Sequence, residues 1–176
     1  MSKKIAVLLL LAASTGCRKE KTLAAANLNV QNKVAVRAVA LFYESQEMLL
    51  VAERREVALP ENPAAAVPAV MRELMKGSVN PSVPRLFPTD TVVRAAYLLP
   101  DGTAFVDLGG PTLSGGWSTG THQEMMAIHS AVQTAVTNFP EVKRVQILIN
   151  GTPPETVGGH LSAARPFTPM PALVGK

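Results

Sequence analysis

The stretch Gly109-Gly110-Pro111-Thr112-Leu113-Ser114-Gly115-Gly116-Trp117-Ser118-Thr119-Gly120, with the segments Thr121–Phe139 and Val145–Ile149 that follow it, decides the fold of this chain. Glycine frees the backbone to cross from one element to the next. Thr121-x-x-Glu124 then has the form of a capping box. Met125, Ile128, Val132, Ala135, Val136 and Phe139 recur at helical spacing and make one apolar stripe. Asn138-Phe139-Pro140 ends that helix, because proline cannot continue the hydrogen-bond ladder. Lys143–Ile149 is the next strand, and Asn150-Gly151 turns it.

The pattern extends upstream. Thr91–Leu99 alternates, with Val93, Ala95, Tyr97 and Leu99 on one face and Arg94 on the other. Pro100-Asp101-Gly102 is a tight turn, and Thr103–Leu108 returns as a strand. Earlier still, Val34–Tyr43 is a nearly continuous apolar run, which suits a strand covered on both faces. Glu44–Glu47 turns it into a second strand that is charged at Glu53-Arg54-Arg55-Glu56. Those charges read as edge protection, with a polyanion-binding Arg54-Arg55 patch as the second reading. Asn62-Pro63 signals the start of a helix, with Pro68 as an alternative start. Val67, Val70, Met71, Leu74 and Met75 form its apolar face, and Gly77 stops it. Ser78–Asp90 reads as an irregular surface connection. The order ββαββαβ predicts an α/β two-layer sandwich: a mixed sheet with two helices on one face.

With 176 residues, 47% hydrophobic and 17% charged, the chain is globular and long enough for a real core. A net charge of +4, little clustered, gives no case for nucleic acid. The single cysteine, Cys17, excludes an internal disulfide framework and a multi-cysteine zinc site.

Lys3-Lys4, the apolar run Ile5–Ala13 and the small residues before Cys17 make an export signal. The cysteine at its end resembles the lipobox of bacterial lipoproteins, in which that cysteine is lipidated and begins the mature chain. The other reading is ordinary cleavage after Ala26. The domains expected are a lipoprotein signal peptide over 1–17, a flexible tether over 18–33, a folded domain over 34–168 and a loose tail over 169–176. Arg18 is not the Asp that marks inner-membrane retention in enterobacteria, so the resemblance favours the outer membrane where a cell has one.

Chemistry is harder to place. The glycine-rich segment lacks Gly-Lys-Ser/Thr and does not fit Gly-x-Gly-x-x-Gly. Its Trp117, with Gly115 and Gly116, is the candidate partner contact; the plainer reading has Trp117 covering core. His122 and His129 stand two helical turns apart, and His122-x-Glu124 lacks the cysteine pair of zinc deaminases, so no metal site is expected. Ser114, Ser118 and Ser130 have no glycine elbow. No cofactor is implied.

Ala40-Leu41-Phe42-Tyr43, Val142–Gly151, Gly158-Gly159-His160-Leu161 and Arg165-Pro166-Phe167 together resemble the GerMN domain of the sporulation and spore-germination GerM family, over roughly Arg37–Thr168. The resemblance implies an envelope lipoprotein with a fold similar to the ring-building modules of the channel between mother cell and forespore. It implies a role in stabilising envelope assemblies, in sporulation or germination, and brings no catalytic residues. The chain has one such domain where the sporulation protein has two. The function expected is thus a membrane-anchored, non-catalytic module of the cell envelope. Its partners would be an envelope protein or peptidoglycan, with self-association left open. An envelope enzyme acting on cell-wall glycan, with Glu124 or Asp107 as acid, is the alternative; it needs a second carboxylate close by.

Cys17→Ser is expected to move the protein from the membrane fraction to the soluble one. If it still sediments with membranes, and wild type takes up no labelled palmitate, the anchor is wrong.

Overall fold

The computed structural model describes residues 33–175; the expected signal peptide, Cys17 and the expected tether up to residue 32 lie outside them. The strands are β1 (Val34–Glu44), β2 (Leu50–Pro60), β3 (Val92–Leu98), β4 (Thr103–Gly109) and β5 (Arg144–Ile149). The helices are α1 (Pro63–Met75), α2 (Pro111–Ser114) and α3 (Thr121–Asn138). The α/β class and the element order are those read from the sequence, with one added helical turn, α2, inside the glycine-rich segment.

The strands form two sheets rather than the one mixed sheet expected. β1 and β2 are an antiparallel pair. The mixed sheet has the order β3-β4-β5, with β3 antiparallel and β5 parallel to β4. Register puts Ala104, Val106 and Leu108 beside Val145, Ile147 and Ile149 on one face. That face is buried with the apolar sides of α1 and α3. Asn62 caps α1 by accepting from the Ala64 N–H at 3.0 Å, and the helix runs through Pro68 rather than starting there.

A bulge at Arg94 corrects the face assignment in β3. Val93 faces the core, but the extra residue turns Ala96 and Leu98 inward and leaves Tyr97 58% exposed. Ser78–Asp90 lacks regular structure as expected, yet it buries Leu86 and Phe87. The expected loose tail holds a 3-10 turn at Pro171–Leu173, and Gly175 N–H donates to Leu50 O at 3.0 Å.

α3 is buried nearly all round from Met126 to Ala135, not along a single stripe. It touches β1, α1 and β5. Its polar side chains at Ser130, Thr134 and Asn138, one turn apart, line the outer edge of β1. Ser130 Oγ donates to Phe42 O (2.6 Å), and Phe42 N–H donates to Thr134 Oγ1 (3.0 Å). Asn138 bonds both the N–H (2.9 Å) and the carbonyl (2.7 Å) of Ala40. A helix thus takes the place of a neighbouring strand, which is why β1 does not join the mixed sheet.

Asn138→Ala removes these bonds and is expected to cost about 2 kcal/mol, seen as a lower urea midpoint, with Gln133→Ala as the near-neutral control. Equal stability of Asn138→Ala and wild type would show that the β1 edge is held some other way.

Candidate functional site

Glu124 lies in the first turns of α3 with its side chain sealed from solvent. A buried carboxylate has to be fully bonded to stay ionised. Here Oε1 accepts the N–H groups of Val157 (3.0 Å) and Gly158 (2.7 Å), and Oε2 those of His160 (2.7 Å) and Leu161 (3.1 Å). His160 Nδ1 stands 3.4 Å from Oε2. Burial works against the charge, but the four backbone donors outweigh it and hold the Glu124 pKa below 4.5.

The capping box is therefore not formed. Gly120 is the N-cap, no side chain caps the helix, and Glu124 reaches sideways to the 157–161 loop. Gly158 leaves room for this approach: a Cβ there would meet Thr119 Cγ2 at 2.7 Å and Glu124 Cγ at 3.1 Å and would push them aside. Thr119 N–H donates to Gly158 O at 3.3 Å. The carboxylate so brings the glycine-rich turn and the 158–160 loop side by side at the start of α3.

The rim they form is exposed at Gly115, Gly116, Ser118, Gly120, His122, Gln123 and His160. Gly110, at φ +136°, lets the chain pass Asp90 O, which a Cβ would meet at 2.5 Å. Asp90 accepts the Thr112 N–H at 2.8 Å, and α2 buries Leu113. Trp117 is half-buried, its ring centroid 6.3 Å from that of Phe87. It covers core with one part of the indole and leaves the rest at the rim.

Other candidates are separated, and most are structurally occupied. Asp107 accepts the Gly151 N–H at 2.7 Å and pairs with Arg94 at 3.3 Å, which holds the turn after β5. Asn150 and Gly151 both have positive φ there, as a tight hairpin turn requires. Glu124, saturated and with a lowered pKa, has the opposite of the raised pKa that a glycosidic acid needs. His122 Nε2 lies 2.6 Å from Glu44 Oε1. His129 is buried edge-on against Phe167, 6.1 Å between centroids, and burial lowers its pKa, so it is neutral. No group of metal-ligating side chains occurs among the described residues. Ser130 serves β1, and Ser114 accepts from Asn150 Nδ2 at 2.7 Å.

Arg55 is not part of a polyanion patch. It pairs with Glu53 and with Glu73 (2.9 Å), and it donates to Gly77 O at 2.8 Å. Tyr43 OH donates to Gly77 O at 3.0 Å, and burial pushes its pKa up to about 12. This network joins both strands of the β1-β2 pair to the end of α1. Sequence reading missed it because it treated the charges of β2 as solvated. The role of Glu124 had a legible signal: a carboxylate on the Ile128–Ala131–Ala135 side of the helix, and a Gly-Gly loop rich in free N–H groups.

The family model described as "Germane: Sporulation and spore germination" matches residues 40–155. No curated protein matches the sequence. Among solved structures, the tandem GerMN domains of the sporulation protein GerM from Bacillus subtilis superpose with a TM-score of 0.59 at 21% identity. That match covers 81% of this chain and 48% of the other, so the chain spans about half the length of the tandem. A candidate lipoprotein from Clostridium perfringens superposes with a TM-score of 0.55 at 17% identity, covering 81% of this chain and 93% of that one. These likenesses establish the fold.

The lowered pKa of Glu124 fixes a sign. Its ionised form stabilises the fold above its unfolded pKa of about 4.5, and that contribution is lost as pH falls through the lower folded value. Glu124→Gln is expected to lose about 3 kcal/mol at pH 7, because its amide turns N–H donors toward backbone N–H groups, and to flatten the acid limb of the stability profile. Unchanged stability at pH 7 would contradict the cradle.

Proposed function

The chain belongs to the Germane family of sporulation and spore germination, and from that premise we propose that it is a lipid-anchored, non-catalytic module of the cell envelope. It holds an envelope assembly together by binding another component, protein or peptidoglycan, at the rim of Trp117, Gly115 and Gly116. The single observation that carries this reading is the saturation of Glu124. The best-placed acid of the chain has all of its bonding capacity used by backbone N–H groups, and what it builds is a fixed rim rather than a reaction centre.

Two further points support the reading. Trp117 offers a large, stiff aromatic edge beside backbone groups without bulky side chains, a combination common at contact hot spots. The anchor is supported by the lipobox-like run ending at Cys17 and by the similar fold of the candidate lipoprotein. No helix among the described residues is long and apolar enough to cross a membrane, so on this reading the lipid attaches the domain. The location that follows is the outer face of a plasma membrane, or the periplasmic side of the envelope in a cell with two membranes.

The test is capture of the anchored chain after crosslinking in its own envelope, with a parallel pull-down on sacculi. A specific envelope protein or the sacculus is expected to be captured, and Trp117→Ala, checked for folding, should weaken capture by about tenfold or more. Capture of neither would overturn the module; undiminished capture by Trp117→Ala would overturn the rim.

A further inference from the structure

β1 is longer than the helix that protects it. Lys33 O accepts the Glu61 N–H at 2.9 Å and Ser45 N–H donates to Leu49 O at 2.8 Å, so the odd-numbered residues of β1 turn their backbone groups toward β2. The even-numbered residues turn theirs outward. At Ala40 and Phe42 the side chains of α3 accept and donate to them. Phe139-Pro140 then ends the helix. Among the described residues no partner reaches the outward N–H and C=O groups of Val34, Val36 and Ala38. Their side chains are apolar and open: Val34 is 57% and Val36 67% exposed. This stretch of edge has no proline and no bulge, the usual devices that keep strand edges apart, and its one charge, Arg37, is turned toward β2, where it donates to Pro60 O at 2.8 Å.

We propose that Val34–Ala38 is a pairing edge for a second copy of this chain, forming a four-stranded antiparallel sheet through a two-fold axis at Val36. Register and charge select the copy. With Val36 opposite Val36 of the second copy, Val34 meets Ala38 and Ala35 meets Arg37, so apolar residues face each other and no like charges are opposed. One step toward the C-terminus sets Arg37 against Arg37, and one step toward the N-terminus sets Lys33 against Arg37. Further steps toward the C-terminus run into Ala40, whose edge Asn138 already occupies, and the next step toward the N-terminus, Val34 opposite Val34, pairs only Lys33–Ala35 of the described strand. One register is left, and it is self-complementary and closed at two copies. So short a pairing is marginal in dilute solution. Tethering both copies to one membrane, which rests on the anchor proposed above, raises their effective concentration.

The full chain carrying Val36→Cys, in native membranes, is treated with a short bifunctional maleimide. The two Cα atoms at position 36 are expected about 5.5 Å apart, so a product of twice the chain mass should form. Ala58→Cys lies on the same face of β2, and its copies would be about 14 Å apart, so it should not react. Adding Ala38→Pro to Val36→Cys removes an outward N–H that no intrachain bond uses. It should cut the product about tenfold or more without lowering the unfolding temperature. The edge pairing is overturned if Val36→Cys yields no dimer although a monofunctional maleimide labels it, or if the dimer survives Ala38→Pro. A product with a different protein would overturn the second copy as occupant. Failure of the anchor would show separately, as protein in the soluble fraction, where the same cross-link is assayed.

Discussion

A carboxylate enclosed by protein is tolerated only when donors surround it, and Glu124 meets that condition with backbone alone. Its position on α3 fixes where the 157–161 loop must lie. That loop fixes the path of the C-terminal segment, whose Phe167 pairs with Val145 at the edge of β5 and whose Val174 reaches Leu50 at the start of β2. The glycine-rich turn is fixed by the same loop through Thr119 and Gly158. One charge at the start of one helix therefore sets the geometry of the rim around Trp117, the partner contact proposed above.

The same helix solves a second problem further along. A strand edge is covered by a row of side chains on α3, each one turn from the next, where a sheet would use another strand. The solution is local: it covers Phe42 and Ala40 and stops where the helix stops. Burial of the Ser130 and Thr134 hydroxyls inside the helix is thereby accounted for, since each of them has a backbone partner in β1.

Signals in the sequence are legible where the physics is local. The Asn62 cap, the Gly77 stop, the Pro100-Asp101-Gly102 turn and the Asn150-Gly151 turn depend on neighbouring backbone, and the structure has them. Errors arise where the deciding partner is distant. Thr121 and Glu124 have the spacing of a cap, but the N–H groups that win the carboxylate lie more than thirty residues on. Alternation in β3 is misread past Arg94 because one inserted residue exchanges the two faces. Arg55 looks solvated in a charged run until Glu73 and Gly77, brought over by α1, enclose it. Of the site, Trp117 and the glycines beside it are legible as a feature, while the carboxylate that supports them reads from the sequence as a helix cap or a candidate acid, not as the anchor of a distant loop.

The central claim is that Glu124 is a structural charge and not a reacting acid. Its carboxyl carbon, followed by NMR through an acid titration, tests this most directly. The account predicts a pKa below 4.5, with the Val157, Gly158, His160 and Leu161 amide signals moving in the same step. A pKa raised toward neutrality, with those amides unmoved, would contradict it.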